Sequence, residues 1–374
     1  MDFRFIKEFV MERVPFFDLR ILNQNEKNDL ISAISAVFDH GRMIIGPEVV
    51  EFETTFSHFC NRKYGVGVDS GTNALFLGLK SLGIGLEDEV ITTSMSWIAT
   101  ANAIAMVGAT PIFTDVCDDL NINPDKIEAL ITKKTKAIIP VHFTGKICKM
   151  DKILNIASQY GLKVIEDASQ AFGATYQDKV AGSFGDMACF SLNPMKVLGA
   201  CGEAGIIVCD DKATYDRLIS LRYNGTINRE LCVEPSLNGR IDTLQAAILL
   251  KRFKGVPGII AKRREIANFY GKHLKGDLKV PQEHAEELDT YYSYTICTDH
   301  RDQLKSYLEG RGVETKIQHL YLMSDQPAYQ HLKKPNIPNA SKLIKQIICL
   351  PNHEKLSMQQ LEYVTTCVNE YFSS

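Results

Sequence analysis

Glu166-Asp-Ala-Ser-Gln170, followed by Ser191-Leu-Asn-Pro-Met-Lys196, decides how this chain reads. The run Leu162 to Ile165 reads as a buried parallel strand, and Asp167 stands at its carboxyl end. Lys196 lies downstream in a loop rich in Ser, Asn, Pro and Gly, with Gly199, Gly202 and Gly205 close behind. An aspartate at a strand end followed by a loop lysine is the pair that pyridoxal phosphate (PLP) chemistry needs. The lysine amine forms a Schiff base with the cofactor aldehyde. The carboxylate keeps the pyridine nitrogen protonated, so the ring accepts electrons from a substrate carbanion. A lone Asp and a lone Lys are ordinarily surface charges. Here each sits beside a strand end in glycine-rich surroundings, which favours the paired reading.

Working outward, strands and helices alternate on both sides of this pair. Val66 to Val68, Val90 to Thr92, Thr110 to Phe113 and Ala137 to Val141 read as strands, as do Met187 to Ser191 and Gly205 to Cys209. Helical stretches lie between them: Ser70-Gly-Thr-Asn73 through Leu79, Ala99 to Val107, Pro124 to Ile131 and Met150 to Tyr160. An amphipathic helix over 22–40 precedes them all. The alternation predicts an α/β fold, a mostly parallel sheet flanked by helices. The character changes at the Pro/Gly break Gly255 to Gly258. Beyond it, a basic helix Ala261 to Leu274, a strand Tyr292 to Thr298, a helix Asp302 to Arg311 and a C-terminal helix from Ser357 predict a smaller α+β unit. The expected division is 1–255 for a large PLP-binding domain, with an N-terminal segment 1–20, and 256–374 for the small one. Pro335 to Pro338 reads as a loop.

Composition narrows the function. A chain of 374 residues holds one large α/β domain and a smaller one. A formal net charge of −3 argues against a broad nucleic-acid-binding face. The ten cysteines form no Cys-x-x-Cys pair and are scattered through strand-like and helical stretches, the pattern of buried free thiols in a reducing cytoplasm. Cys201, near Lys196, is expected to be structural. Met1 to Arg13 mixes charges with Phe3, Phe5, Ile6, Phe9 and Val10 and lacks the unbroken apolar stretch of a secretion signal. No run is long enough to span a membrane. His142 follows a strand, but no second ligand stands at metal-binding spacing, so no metal is expected. Gly65-Val-Gly67-Val-Asp-Ser70-Gly71 imitates a dinucleotide fingerprint only faintly, because Ser70 takes the place of the third glycine.

Further residues suit a cofactor. A strand feeding Ser70-Gly-Thr-Asn73 at a helix start makes an anion site from free N–H groups, the helix dipole and the Thr72 hydroxyl. The same stretch also suits a plain capping turn. Trp97, the only tryptophan, follows a strand and suits stacking on a pyridine ring; taken alone, it reads more readily as core. Ser191 is spaced to add a hydroxyl to a phosphate, and Gln170 to reach the cofactor or its phenolic oxygen.

These segments form part of a longer ordered set. Val14-Pro-Phe-Phe-Asp-Leu19 comes first, then Gly46-Pro-Glu48 with Glu51-Phe-Glu53, Val68-Asp-Ser-Gly-Thr-Asn-Ala-Leu75, Ser96-Trp-Ile-Ala-Thr100 and Val141-His-Phe-Thr-Gly145. Glu166 to Ala171, Gly185-Asp186, Ser191 to Lys196 and Gly202-Glu-Ala-Gly205 follow. Asn238-Gly-Arg-Ile-Asp-Thr-Leu-Gln-Ala-Ala247 and Gln326-Pro-Ala-Tyr329 complete it. In this order the chain resembles the DegT-type nucleotide-sugar aminotransferases, PLP enzymes of fold type I, over nearly its whole length after residue 13.

The resemblance implies roles. Lys196 would be the Schiff-base lysine and proton shuttle, Asp167 the partner of the pyridine nitrogen, Gln170 a contact of the phenolic oxygen and Trp97 the ring stacked on the cofactor. Gly71, Thr72 and Ser191 would hold the phosphate. Asn238 matches an asparagine that reaches the phosphate of the neighbouring subunit, which implies a homodimer with shared sites. Gly239 stands where the family has serine, Met195 replaces Thr or Asn, and Gln318-His-Leu-Tyr321 replaces a His-Tyr-Pro run on the sugar side. The implied activity is transfer of an amino group from L-glutamate to a nucleotide-linked keto-sugar. The N-terminal segment favours C3 of a dTDP-3-keto-6-deoxyhexose over C4 of a UDP- or GDP-linked sugar. An aminocyclitol transaminase using a keto-inositol and a non-catalytic regulatory protein of the same fold are the alternatives. Retention of Lys196 and Asp167 argues against the regulator.

Overall fold

Seven of the strands join into a single sheet. A computed structural model describes residues 13–373; residues 1–12, where the reading against a secretion signal falls, lie outside the described residues. Across the sheet the order is Tyr64–Val68, Gly205–Cys209, Met187–Ser191, Lys163–Asp167, Thr135–Ile139, Glu89–Thr93 and Thr110–Thr114. Gly205–Cys209 pairs antiparallel with both neighbours, and the other neighbouring pairs are parallel. This is the mostly parallel α/β sheet expected from the sequence.

The sheet is buried on both faces, which explains why its strands read as apolar runs rather than as alternating patterns. Neighbouring residues of one strand enter opposite cores. Val164, Ile91 and Ile138 pack in one cluster, while Ile165, Val90 and Ile139 pack in the other. Lys163–Asp167 lies mid-sheet, so its carboxyl end opens toward the middle of the fold.

Ser70 caps the helix Gly71–Ser81, its side chain accepting a bond from the Asn73 N–H at 3.2 Å. Asn23 does the same for Gln24–His40. Other stretches depart from expectation. The helix expected over 124–131 is two separate 3-10 turns, Pro124–Lys126 and Glu128–Leu130. Ile131 is already extended, because the chain must straighten to enter the strand at Thr135. The break at 255–258 shrinks to Gly255, where Thr243–Phe253 gives way to Val256–His273. Pro257 lies in the first turn of the new helix, where no N–H is needed.

After residue 255 the strands Tyr294–Cys297 and Ile347–Leu350 pair antiparallel. A separate apolar cluster joins them to the helices Val256–His273, Arg301–Gly310 and Met358–Ser373. Val14 belongs to this cluster. Its N–H donates to the Gly312 carbonyl at 2.8 Å, and its carbonyl accepts from Glu314 at 2.9 Å. Among the described residues, no helix is long and apolar enough to cross a membrane.

Candidate active site

The strand ends meet the C-terminal unit around a cavity of about 490 Å³. Gly71, Thr72, Trp97, Asp167, Gln170, Ser191 and Lys196 all line it. The volume lies within the range of pockets that bury a cofactor-sized ligand.

One wall is built by a close approach. A Cβ on Gly71 would stand 2.6 Å from the Ser191 Cβ, so only glycine lets the helix start reach the end of strand Met187–Ser191. The approach brings the free N–H groups of a helix N-terminus together with the hydroxyls of Thr72 and Ser191. That donor set suits a phosphate.

Asp167 also lines the cavity and is buried. Its Oδ2 accepts from the Thr100 hydroxyl at 2.8 Å, and its Oδ1 from the Ser169 N–H at 3.2 Å. Both donors are neutral, and among the described residues no cation pairs with this carboxylate. A buried anion without a counter-charge is costly, and a protonated pyridine nitrogen would supply that charge.

Lys196 enters from the loop after Ser191. Its Nζ lies 4.6 Å above the centre of the Tyr292 ring. Gln170 is fixed from two directions. Its Oε1 accepts from the Thr144 N–H at 3.0 Å and from the Gln318 amide at 3.2 Å. Trp97 is 62% exposed, so its indole face is open to a ligand rather than used in the core. His319 stacks near it at 6.2 Å between centroids and also lies against Phe143. Burial, then the charges of Lys316 and Lys196, push His319 down to about 4, so its imidazole is neutral. Its Nε2 is buried without a partner. An anion cradle, a bare carboxylate, an amine and an open indole together fit PLP.

Asn238 does not line this cavity. It is exposed, and its Oδ1 accepts from the Arg240 guanidinium at 2.9 Å. His142 is a satisfied core residue, with Nε2 3.0 Å from Glu166 Oε2 and Nδ1 accepting from the Cys148 N–H at 3.3 Å. No metal-binding cluster occurs among the described residues. All ten cysteines are free and six are buried, as expected of free thiols; Cys117 and Cys297 are half-buried, and Cys201 and Cys232 are exposed because they lie on a loop and a short hairpin strand at the surface. Behind the lysine loop, a second cavity of about 790 Å³ is lined by residues from 17–30, 194–201, 251–263 and 353–355.

Sequence reasoning missed Tyr292, Thr100, Thr144 and Lys316 as parts of the site. Thr100 sits inside a quoted motif, so its hydroxyl was within reach of inference. Tyr292 carried no signal beyond the start of an expected strand.

The profile of the DegT/DnrJ/EryC1/StrS aminotransferase family matches residues 24–369. The chain is 36% identical over 360 residues to dTDP-3-amino-3,6-dideoxy-alpha-D-galactopyranose transaminase of Aneurinibacillus thermoaerophilus, covering 96% of this chain and 99% of the relative. It is 35% identical over 366 residues to a pleiotropic regulatory protein of Geobacillus stearothermophilus, covering 96% and 98%. Among solved structures it is similar to S. venezuelae DesV in complex with a ketimine intermediate, with a TM-score of 0.93, 33% identity and coverage of 97% and 99%. On its ordered motifs, its fold and these matches, the chain belongs to the DegT/DnrJ/EryC1/StrS aminotransferase family.

Proposed function

We propose that the protein moves the amino group of L-glutamate onto a keto-sugar carried by a nucleotide, with C3 of a dTDP-3-keto-6-deoxyhexose favoured over C4 of a UDP- or GDP-linked sugar. The family is one of PLP-dependent sugar aminotransferases, and this chain is an enzyme of that kind. The observation that supports transaminase chemistry is the cavity shared by Lys196, Asp167 and the Gly71–Thr72–Ser191 wall; the preference for C3 rests on the resemblance of Val14 to Leu19 alone.

PLP, when bound, supplies an electron sink for the carbanion formed at the amino-bearing carbon. Lys196 holds the cofactor at rest. Once its amine is free, Lys196 Nζ carries the proton to and from the substrate carbon as general acid and base. Asp167 holds the proton on the ring nitrogen. Gln170, fixed by Thr144 and Gln318, orients the phenolic side of the ring. Trp97 covers one face and excludes water from it. Gly71, Thr72 and Ser191 bind the phosphate.

Asn238, exposed and outside its own chain's cavity, serves the neighbouring subunit's phosphate, so the active unit is a homodimer. The small C-terminal unit, divided from the large one at Gly255, brings Tyr292, Lys316, Gln318 and His319 to the site. The unpaired cysteines suit a cytoplasmic enzyme.

The test is the visible absorption spectrum of the protein with PLP, before and after L-glutamate. Bleaching of a yellow protein, then recovery with a nucleotide keto-sugar, supports the reading, and a panel of such sugars identifies the position aminated. A yellow protein indifferent to glutamate removes glutamate as donor. One that stays yellow with every amine favours the regulatory role named in the Geobacillus relative. A protein that never turns yellow overturns the reading.

A further inference from the structure

We propose that Tyr292 is a positioning residue for Lys196: its ring face seats the lysine amine whenever that amine is not bonded to the cofactor. The inference rests on the transaminase reading, in which Lys196 must leave the cofactor and still act at the substrate carbon. A flexible four-carbon side chain released into a cavity of this size has many places to go. An aromatic face beneath the amine restricts them. In the structure Lys196 Nζ stands 4.6 Å from the Tyr292 ring centre, within cation–π range.

The backbone around Tyr292 is held with unusual care. Tyr291, immediately before it, has φ +48°, a left-handed conformation that a bulky aromatic residue rarely adopts. Such strain persists only where the surroundings over-determine it, and it clusters at functional positions. The surroundings here are specific. The Asn352 side-chain amide donates to the Tyr291 carbonyl at 2.8 Å. The Arg263 guanidinium donates to the Tyr292 carbonyl at 3.0 Å. Asn352 and Arg263 are 4% and 3% exposed, so both are committed to this segment rather than to solvent.

A third clamp comes from the large unit. The Thr290 N–H donates to the Gly145 carbonyl at 3.0 Å, and the Ser293 N–H to the Thr144 carbonyl at 3.2 Å. A Cβ on Gly145 would stand 2.7 Å from the Tyr292 nitrogen, so the two backbone segments meet as closely as backbones can. Thr144 also donates its own N–H to Gln170. The turn that orients the cofactor-facing glutamine is therefore the turn that places the ring under Lys196. A role confined to packing would not require a strained residue held from three directions beside the one amine the chemistry uses.

The test uses Tyr292→Leu, which removes the face, and Tyr292→Phe, which keeps it without the hydroxyl. In the cofactor-free protein, Lys196 labelling by trinitrobenzenesulfonate is followed by peptide mapping. Labelling of Lys196 is expected to rise about 3- to 30-fold in Tyr292→Leu and to match the parent in Tyr292→Phe. With PLP bound, the glutamate half-reaction should slow by a similar factor in Tyr292→Leu at unchanged KM, and recover in Tyr292→Phe. Parental labelling in Tyr292→Leu overturns the proposal. Equal impairment of both variants assigns the effect to the hydroxyl and overturns it too. If Tyr292→Leu does not fold, Asn352→Ala, which frees the Tyr291 carbonyl outside the cavity, must raise labelling in the same direction, and no change sinks the idea. An unmodified protein that ignores glutamate would overturn the transaminase reading alone, because the labelling comparison needs neither cofactor nor turnover.

Discussion

Glu166 and Asp167 are adjacent in sequence, both buried and opposite in use. Glu166 is saturated by the protein. It accepts from the N–H groups of Gly182, Phe184 and Gly185 at 2.8, 2.8 and 3.0 Å, and His142 and Arg62 lie beside it. Burial opposes its ionisation, but the His142 hydrogen bond and those N–H bonds offset that penalty and hold it below the ordinary carboxylate range. Asp167, pointing the other way as alternate strand residues do, has Thr100 and Ser169 as its side-chain partners among the described residues, on the edge of a cavity. A buried carboxylate with a full set of internal partners holds the fold together. One left short of partners beside a cavity is placed for a ligand.

The largest expected effect is at Lys196, which lines the same cavity as Asp167. Lys196→Ala should abolish turnover with glutamate and keto-sugar while leaving the fold intact; normal turnover, measured by stopped-flow absorbance, would remove Lys196 from its role. Next comes Asp167→Asn, expected to slow the glutamate half-reaction by about 10²- to 10⁴-fold. Its cost in stability should stay near 1 kcal/mol, because the amide oxygen still accepts from the Ser169 N–H and the Thr100 hydroxyl can turn to accept from the new amide NH2. Glu166→Gln should invert that pattern. It strips one charge from a buried network and should cost about 3–5 kcal/mol in urea unfolding, with activity per folded molecule retained. A Glu166 variant that folds normally and loses catalysis would break the comparison.

The smallest expected effect sharpens it at the cavity's other side. His319 is held down to about 4 when folded, against 6.5 for a free imidazole. Between those values the unfolded chain binds a proton that the folded protein does not, so stability rises with pH through the window and is lost as pH falls through it. His319→Phe should flatten this slope, by about 1–3 kcal/mol between pH 7 and pH 4. An unchanged slope in paired urea titrations would place the proton elsewhere.

Much of this was legible before any coordinates. Leu162 to Asp167 and Ser191 to Lys196 announce a strand-end carboxylate and a loop amine through residue type and local pattern alone. Ser70 announces its helix through capping chemistry. The division of labour between Glu166 and Asp167 was not legible, because it depends on which face of the strand meets the 182–185 turn and which meets the cavity. Pro124 to Ile131 misled because its apolar spacing suits a helix, while the chain must already be extended at Ile131. Tyr292 was invisible because its position depends on a left-handed Tyr291 held by Asn352, Arg263 and Gly145, none of them near it in local pattern.

By itself, then, the sequence determined the mostly parallel α/β sheet, the placing of Asp167 at a strand end and of Lys196 in the loop after Ser191, and the helix start at Gly71, since each is written in short-range periodicity, capping and residue type. Only the tertiary structure decided that Asp167 has no counter-charge among the described residues, that Gln170 is gripped from two sides, and that Lys196 rests on Tyr292. Those facts depend on long-range packing and on which polar groups remain unsatisfied after it, and no local pattern encodes them.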